Sequence, residues 1–572
     1  MKYLSTALVA FALTACSPNA SEPAPSTSSP IIIYPAQKII TVDPNSPIAE
    51  AVAIQGDKIV GVDSLDALKR AHPKATMNPQ YSDAIILPGL IDPHVHMTLA
   101  AMMYGLDWIP PWDMVHPSGT ISGIDNKTEL LQSIARYHSQ KTDDTPLILY
   151  GYHNLVQGDL TKTDLDKIST SRPIIIWHYS GHDFYMNSKA LELFEITAKL
   201  HDLYEGVGID STGELTGRIF EDAVAPLLPK IAPYLLNPKH IETGFNGFEE
   251  ALARGGVTTV AEMGYGIFGR EFENSINAAH HGEDDPYSLY LVPEHRAFTL
   301  EFGDDSAAKI LELAENNPKI LPQIKLFTDA AFYSQTMKLA APGYLSGQSK
   351  GTDGLWVTQP NDLPALMARY WDAGLDIHIH SNGDAAQDST LAAFASQSAG
   401  QDDQRLIIEH AGLITPEQME RAAELGIGIS AASHYVNFMG ADYRPVIAEK
   451  ADYITPLASA FEAGLRVTLH SDAPLAPPMP LLAAGRHMTR ATREGGVSNP
   501  NEKLTADQAL RAITIDAAWS LGLEEVIGSI EVGKQANFTI VGANPMELPG
   551  ESWGAIPVQG VMVKGISYPA DE

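Results

Sequence analysis

The sequence predicts an α/β protein: a (β/α)8, TIM-like barrel with a large insertion after its first strand, and a small β-sandwich formed by the two ends of the chain. Eight apolar, β-branched runs alternate with stretches of helical period, as expected for parallel strands covered on both sides. They lie at 85–96, 256–263, 288–294, 323–329, 375–380, 405–410, 426–432 and 466–472. The 572 residues suffice for one large barrel with a satellite domain.

The first residues of the chain indicate export. Lys2 precedes an apolar stretch at 3–15, too short to span a bilayer, which runs into Leu-Thr-Ala-Cys at 13–16. This ending resembles the cleavage box of bacterial lipoproteins, in which Cys16 becomes the lipidated first residue. An ordinary cleaved signal peptide that happens to hold a cysteine is the alternative.

Cys16 is the only cysteine in the chain. No disulfide can therefore form within the chain, and any metal ion must take nitrogen and oxygen ligands. Residues 1–16 are expected to be the lipoprotein signal, and 17–30, rich in Ser and Pro, a flexible tether. We expect the exported protein to be lipid-anchored at the outer membrane, facing the periplasm.

Short alternating runs at both ends of the chain predict β-structure. Residues 31–85 and 523–572 are assigned to the β-sandwich, with a hairpin turn at Gly56-Asp57. The barrel is assigned to 86–522. Its first two strands are separated by 97–255, far more than one helix needs, so this stretch is expected to contain an inserted subdomain or lid, with strands near 147–152 and 173–179.

The charge of the chain is strongly acidic. Its 38 basic and 70 acidic residues give a net charge of −32. Such a chain repels nucleic acid and anionic lipid surfaces, so neither is expected as a partner, apart from the lipid anchor. The expected partner is a small-molecule substrate, and the sequence leaves a homo-oligomer open.

Polar residues cluster at the ends of the predicted strands, where barrel enzymes place their active sites. His94 and His96 alternate along the first strand and so point the same way. Further polar residues end strands four, five, six and eight: Lys325, His378, His380, Glu409, His410, His470 and Asp472. Histidines and carboxylates on one face favour a metal site. Each residue taken singly could instead be a hydrogen-bonded core residue.

Several motifs extend this pattern along the chain. They are PGLIDPHVH at 88–96, NSKA at 187–190, GGVTTV at 255–260, HSNGD at 380–384, IEHA at 408–411 and HSDAP at 470–474. On these motifs the chain resembles the amidohydrolase superfamily, and most closely the branch called amidohydrolase family 3, from about residue 31 to 563. The resemblance implies a metal-dependent hydrolase with two divalent ions, zinc by family default.

The resemblance also implies roles for individual residues. His94 and His96 would hold the first ion, and His380 and His410 the second. Asp472 would bind the first ion and act as the catalytic proton shuttle. Lys325 would be carboxylated and bridge both ions, since a carbamate is a bidentate anion. A buried Lys325 paired with Asp472 or Asp329 is the alternative, and His378 and His470 are expected to be structural.

The substrate side is less constrained by the sequence. The resemblance makes His182, in Ser-Gly-His, and Glu221 candidate substrate contacts. His434 could equally touch substrate or sit on a loop. Four aromatic residues could line an apolar pocket or belong to the core: Tyr104, Trp108, Trp112 and Trp177.

The expected reaction is hydrolysis of a C–N bond other than a peptide bond, in an N-substituted amide, an N-acyl compound or a cyclic amide. A metal-held hydroxide would attack, with Asp472 taking and returning the proton. Three alternatives stay open: a lactone or ester hydrolase on the same site, a non-catalytic ligand-binding surface lipoprotein, and an isomerase or decarboxylase on the same barrel.

Overall fold

The structure is a computed structural model that describes residues 29–570 except 117, 118, 283, 399, 401 and 402. The predicted signal at 1–16, Cys16 and nearly all of the tether therefore lie outside the described residues. Among the residues that are described, no helix is long and apolar enough to cross a membrane.

The two ends of the chain share one mixed sheet. Phe538–Val541 pairs antiparallel with Ile85–Pro88, which itself runs parallel to Ile31–Ile40. The other strands of this sheet are Ile48–Gln55, Lys58–Asp63, Thr76–Met77, Val558–Val563 and Ile566–Pro569. Gln55 pairs with Lys58 across the predicted Gly56-Asp57 turn, where Gly56 has a φ of +62°. The two ends of the sequence thus contribute strands to a single sheet.

Eight parallel strands carry the predicted apolar runs. We number them β1 to β8 in chain order: Leu90–Val95, Val257–Tyr265, Ser288–Pro293, Gln323–Phe327, Asp376–Ser381, Leu406–His410, Gly428–Ala432 and Val467–His470. Strands β1 to β3 form one parallel sheet and β4 to β8 another, each with sequence neighbours side by side. Isolated parallel bridges pair Glu294 with Lys325 and Val95 with Ala473. Both gaps between the two sheets are therefore bridged.

The first predicted strand, 85–96, is in fact two strands. Ile85–Pro88 belongs to the terminal sheet and β1 begins only at Leu90. Gly89 separates them, since its N–H donates to the Asn537 carbonyl and a Cβ at this position would lie 2.2 Å from the Thr258 hydroxyl oxygen. A continuous apolar run cannot reveal such a change of sheet.

Helices follow most of the central strands. Those outside the insertion are Leu65–Ala71, Met97–Tyr104, Pro238–Gly255, Arg270–His280, His295–Phe302, Ser306–Asn316, Leu363–Trp371, Asp384–Ala395, Pro416–Glu424, Tyr435–Met439, Arg444–Ile447, Leu457–Glu462, Pro480–Thr489, Ala506–Ala512, Ile515–Ser520 and Gly550–Trp553. Pro416–Glu424 shows why they form: Thr415 and Gln418 make a capping box, and Pro416 occupies the first turn.

The segment between β1 and β2 has a sheet of its own. Both predicted strands are present, as Leu147–Tyr152 and Ile174–His178, and they pair in parallel. The sheet also contains Asp107–Trp108, Asp183–Met186, Val207–Ile209 and Leu215–Phe220, and a separate hairpin joins Met114–His116 to Gly119–Ile121. The helices here are Lys127–Gln140, Asn154–Gln157, Lys162–Asp166, Ser188–Leu193 and Val224–Leu235. Asn187 explains the NSKA motif, because its side chain accepts from Ala190 N–H and caps a helix.

Candidate metal centre

The ends of β1 and β8 bring three of the predicted ligands together. Asp472 Oδ1 lies 3.3 Å from His96 Nε2 and 3.5 Å from His94 Nε2. One possible ligand atom from each of these residues lies within 4.8 Å of the others. The alternation predicted for His94 and His96 thus places both rings, 5.2 Å apart between centroids, on one carboxylate.

Backbone geometry turns two of the predicted ligands into the site. His410 has a φ of +73° and Asp472 a φ of +54°, values that L residues rarely adopt. Each follows or ends a parallel strand, so the chain turns sharply as it leaves β6 and β8. His410 Nδ1 then lies 3.8 Å from Asp472 Oδ2, and the His410 ring is 4.9 Å from the His94 ring.

His380 lies beside His410, with the two ring centroids 4.5 Å apart. Its Nε2 is 3.1 Å from the Ala330 carbonyl oxygen and 3.0 Å from the Asn382 amide nitrogen. His410 Nδ1 is buried and has no hydrogen-bond partner among the described residues. The second predicted ligand pair is thus adjacent, although His380 belongs to neither of the compact ligand groups in the described chain.

Lys325, on β4, is fully buried, and its Nζ makes no hydrogen bond within the described part of the chain. No ion pair joins it to Asp472 or Asp329 among those residues. Burial lowers the pKa of Lys325 from its ordinary value of 10.5 to about 8. The amine of Lys325 therefore loses its proton more readily than that of an exposed lysine.

Asp329 instead supports the loop after β4. Its two carboxylate oxygens accept from the backbone N–H groups of Asn382, Gly383 and Lys338 at 2.8–2.9 Å. The glycine of the HSNGD motif is required here, because a Cβ on Gly383 would lie 1.8 Å from the Lys338 carbonyl oxygen. Burial, opposed by these hydrogen bonds, raises the pKa of Asp329 to about 7.

Glu409 anchors three imidazoles behind the ligands. Its Oε2 lies 2.7 Å from His94 Nδ1 and 3.2 Å from His470 Nδ1, and its Oε1 lies 2.6 Å from His378 Nδ1. Burial alone would raise the pKa of Glu409, but His94, His378 and His470 outweigh it and hold the pKa well below its usual range. His378 also contacts the Ser520 carbonyl oxygen at 3.1 Å, which places it outside the ligand cluster.

Glu262, near the end of β2, holds the ring of His96 from behind, as Glu409 holds the ring of His94. Its Oε1 is 3.1 Å from His96 Nδ1, and its Oε2 accepts from Met97 N–H at 2.6 Å. Carboxylates of this kind fix the tautomer and orientation of metal-binding histidines. Sequence reasoning missed Glu262; the signal was a lone acidic residue near the end of an otherwise apolar strand.

Asp472 is held as an anion by the imidazoles around it. Its burial favours the neutral acid, but His94, His96 and His410 outweigh that effect, so the pKa of Asp472 lies well below its ordinary value. His470, expected to be structural, contacts Glu409 and the Ser430 hydroxyl through Nδ1. Its ring nevertheless joins His94 and His410 in a second compact group of possible ligands.

The predicted substrate contacts occupy two places. His182 Nδ1 pairs with Glu221 Oε2 at 3.1 Å, and Glu221 also accepts from the Thr336 hydroxyl at 2.6 Å. The His182 side chain is 38% exposed, whereas His434 is fully buried and both its ring nitrogens lack partners in the described chain. Burial lowers the pKa of His182, but Glu221 outweighs it and raises the pKa overall.

All four aromatic residues belong to the buried core. Tyr104 and Trp108 pack edge to face at 5.2 Å, and Trp177 stacks on Phe184. Trp112 differs, since it stacks on Phe438 at 4.5 Å, outside the insertion, and meets Tyr179 at 4.7 Å. Trp112 thus reaches from the inserted segment to the helix Tyr435–Met439, which follows β7.

Comparison with known proteins identifies the class of protein that this site defines. The model of the amidohydrolase family matches residues 82–566, so the chain belongs to that family. It is a metal-dependent hydrolase of this family, which confirms the prediction that it is an enzyme.

The chain is 26% identical over 537 residues to the N-substituted formamide deformylase of Arthrobacter pascens, covering 92% of this chain and 96% of that protein. It is 25% identical to the protein LONG AFTER FAR-RED 3 of Arabidopsis thaliana, covering 88% and 86% respectively. An uncharacterised metal-dependent hydrolase from Pyrococcus horikoshii has a similar fold, with a TM-score of 0.66 at 19% identity, covering 91% of this chain and 99% of that one.

Proposed function

We propose that this enzyme hydrolyses the C–N bond of an N-substituted amide that is not a peptide, with N-substituted formamides as the first substrates to test. The observation that carries the proposal is the buried Asp472 carboxylate facing His94, His96 and His410. The full-length similarity to a protein named N-substituted formamide deformylase directs the choice of bond.

The residues present suit two divalent ions. His94, His96 and Asp472 would hold the first, and His380 and His410 the second, because these donors are buried and converge. Lys325 supports a bridging role, because its amine has no hydrogen-bond partner among the described residues and feels the charges of Asp472 and Glu409. Carboxylated by carbon dioxide, it would supply an anionic bidentate ligand. Imidazole and carboxylate donors favour zinc.

The bound ions would activate water and polarise the scissile carbonyl. Asp472 takes the proton of the attacking water and returns it to the leaving nitrogen, since it is the ionised carboxylate at the centre of the site. Glu409 and Glu262 keep Nε2 of His94 and His96 directed at Asp472. His182, set by Glu221, would contact the substrate at the exposed side of the site.

Finer features of the chain belong to the same proposal. The bridges at Lys325 and Ala473 support closure of β1 to β8 into a (β/α)8 barrel, with 97–255 containing the inserted subdomain. The terminal sheet would form the predicted sandwich. Export and lipidation at Cys16 are proposed from the sequence alone. Incorporation of labelled palmitate, lost in Cys16→Ala, would test them.

The function is tested with residues 17–572 purified in the presence of zinc and bicarbonate. We expect metal-dependent hydrolysis of N-benzylformamide, and slower or no hydrolysis of the matched ester benzyl formate. Asp472→Asn should retain most of the zinc by elemental analysis while kcat falls by about 10²–10⁴-fold. Hydrolysis of the ester alone would refute the C–N assignment, and equal kcat in Asp472→Asn would refute the proton shuttle.

A further inference from the structure

Arg486 is a partly buried arginine without a hydrogen-bond or ion-pair partner among the residues that the structure describes. It lies on the helix Pro480–Thr489, which follows β8. The two arginines that follow it in the sequence do have such partners. Arg490 donates to three backbone carbonyls, and Arg493 pairs with Asp442 and Glu494. The N–H donors of Arg486 thus have no protein partner within the described part of the chain, at a half-buried position.

The Arg486 guanidinium lies against a cluster of aromatic rings, 4.7 Å from the centroid of Phe438. We call Trp112, Tyr179, Tyr333 and Phe438 the aromatic wall. Trp112 stacks on Phe438, and Tyr179 meets both Trp112 and Tyr333, at 4.7 and 5.0 Å. The inserted segment supplies Trp112 and Tyr179, so this buried cluster forms where the insertion packs against the helix after β7.

The aromatic wall connects Arg486 with the candidate metal centre. The hydroxyl groups of Tyr179 and Tyr333 each feel the charges of both Arg486 and Asp472. Tyr179 also donates to the Leu475 carbonyl, three residues beyond Asp472. Tyr179 and Tyr333 therefore lie within the influence of both the Arg486 cation and the Asp472 carboxylate.

Unused polar atoms mark this same surface. The Tyr333 hydroxyl is buried without a partner in the described chain, and so are both ring nitrogens of His434, which stacks on Tyr333 at 5.5 Å. Buried polar atoms are normally satisfied, so several orphans together with an unpaired guanidinium indicate a ligand with acceptor oxygens.

We propose that Arg486 binds a carboxylate of the substrate, remote from the scissile bond, while the aromatic wall contacts the apolar part between them. The guanidinium presents donors in a planar fork that matches a carboxylate. In a chain with a net charge of −32, anionic ligands are repelled in general, so a specific cation is needed to accept one. This inference rests on the proposed function for the position of the scissile bond.

The alternative is a structural stacking of Arg486 on Phe438. Stacking uses the face of the guanidinium and leaves its edge donors free, so it does not account for the missing partners. It also predicts no preference for charged over neutral ligands, which makes the two roles separable by binding.

The test compares two probes of nearly equal shape, 3-phenylpropionate and 3-phenylpropionamide, by titration calorimetry on the zinc-loaded protein. We expect the carboxylate to bind about tenfold more tightly or better, as for one charged hydrogen-bonded pair. Arg486→Gln should bring the ratio close to one with the amide Kd unchanged, and Arg486→Lys should keep part of it. Arg493→Gln, whose guanidinium is already neutralised, should keep all of it.

The controls separate the possible sources of the preference. A ratio that survives in Arg486→Gln would place the carboxylate on the zinc ions and overturn the proposal, as would binding of neither probe at millimolar concentration. Turnover of neutral formamides without a carboxylate preference would refute the role of Arg486 and leave the hydrolase standing. An Arg486-dependent preference without turnover of any formamide would support the role of Arg486 and refute the proposed hydrolase function. Arg486→Lys covers the case in which the Gln variant fails to fold.

Discussion

Glu409 offers a direct test of how the site is assembled. It is fully buried, and its two oxygens contact ring nitrogens of His94, His378 and His470 at 2.6–3.2 Å. In Glu409→Gln the amide oxygen still accepts from His94, but the negative charge that raises the basicity of this ligand is gone. We expect the affinity for zinc to fall by about 10–100-fold, the usual effect of changing a partner behind a metal-binding histidine.

Glu409→Ala should act on folding as well. It removes the acceptor of the buried imidazole N–H groups of His94 and His378, whereas His470 Nδ1 keeps the Ser430 hydroxyl. Each unpaired buried donor costs about 1–3 kcal/mol. The free energy of unfolding of the metal-free protein should therefore fall by at least about 2 kcal/mol. Glu409→Gln should lower the free energy of unfolding less. The amide N–H of Gln can donate to His378 Nδ1, while His378 Nε2 still donates to the Ser520 carbonyl.

Zinc affinity is measured by competition with a chelator, and stability by urea unfolding followed through tryptophan fluorescence. Glu424→Gln, the same chemical change at an exposed helix end, is the matched control and should alter neither quantity. Wild-type zinc affinity in Glu409→Gln would refute the reasoning that this carboxylate tunes the metal centre. Unchanged stability in Glu409→Ala would refute the inference that the hydrogen bonds of Glu409 stabilise the folded protein.

Three further predictions follow from buried groups. Lys325→Met should lower bound zinc from about two ions per chain to about one by elemental analysis. The metal-free protein should keep its stability, because Nζ has no partner in the described chain. Retention of both ions would contradict a bridging lysine. Glu221→Gln frees His182 and should lower kcat/KM by about tenfold with zinc content unchanged, whereas a loss of zinc would contradict a substrate-side role. Arg490→Met leaves three backbone carbonyls unpaired and should lower the free energy of unfolding in urea by about 3 kcal/mol or more. Arg136→Met, at an exposed site, is the control. Equal stability of the two variants would contradict a stabilising role of Arg490.

The sequence predicted the elements whose signal is local. The continuous apolar runs of β2 to β8 survive in the structure because strands covered on both sides need no polar face. The alternation of His94 and His96 sufficed to place both on Asp472, since side-chain direction in a strand follows from spacing alone. The position of β1 was misjudged because Gly89 passes the chain between two sheets without any break in hydrophobicity.

What the sequence could not predict depends on contacts between distant segments. Glu262 becomes a support for His96 only when β2 lies beside β1, and the isolated lysine at 325 is distinguished from a salt-bridged one only by its surroundings. The positive φ values of His410 and Asp472 likewise reflect sharp turns that no glycine announces. Arg486 belongs to no motif, and its lack of a partner is visible only once every neighbouring carboxylate has been placed.

Chemistry and recognition are carried by different parts of the chain. The proposed ligands and proton shuttle sit at the ends of central strands, fixed by Glu409 and Glu262 from behind. The groups proposed to meet the substrate come from the insertion, as His182 and Trp112, and from the helix bearing Arg486. A change in the insertion can therefore reshape the surface facing a substrate while the strand ends stay as they are. Membership of the amidohydrolase family accordingly bears on the proposed metal centre, whereas the proposed substrate contacts come from segments outside the central strands.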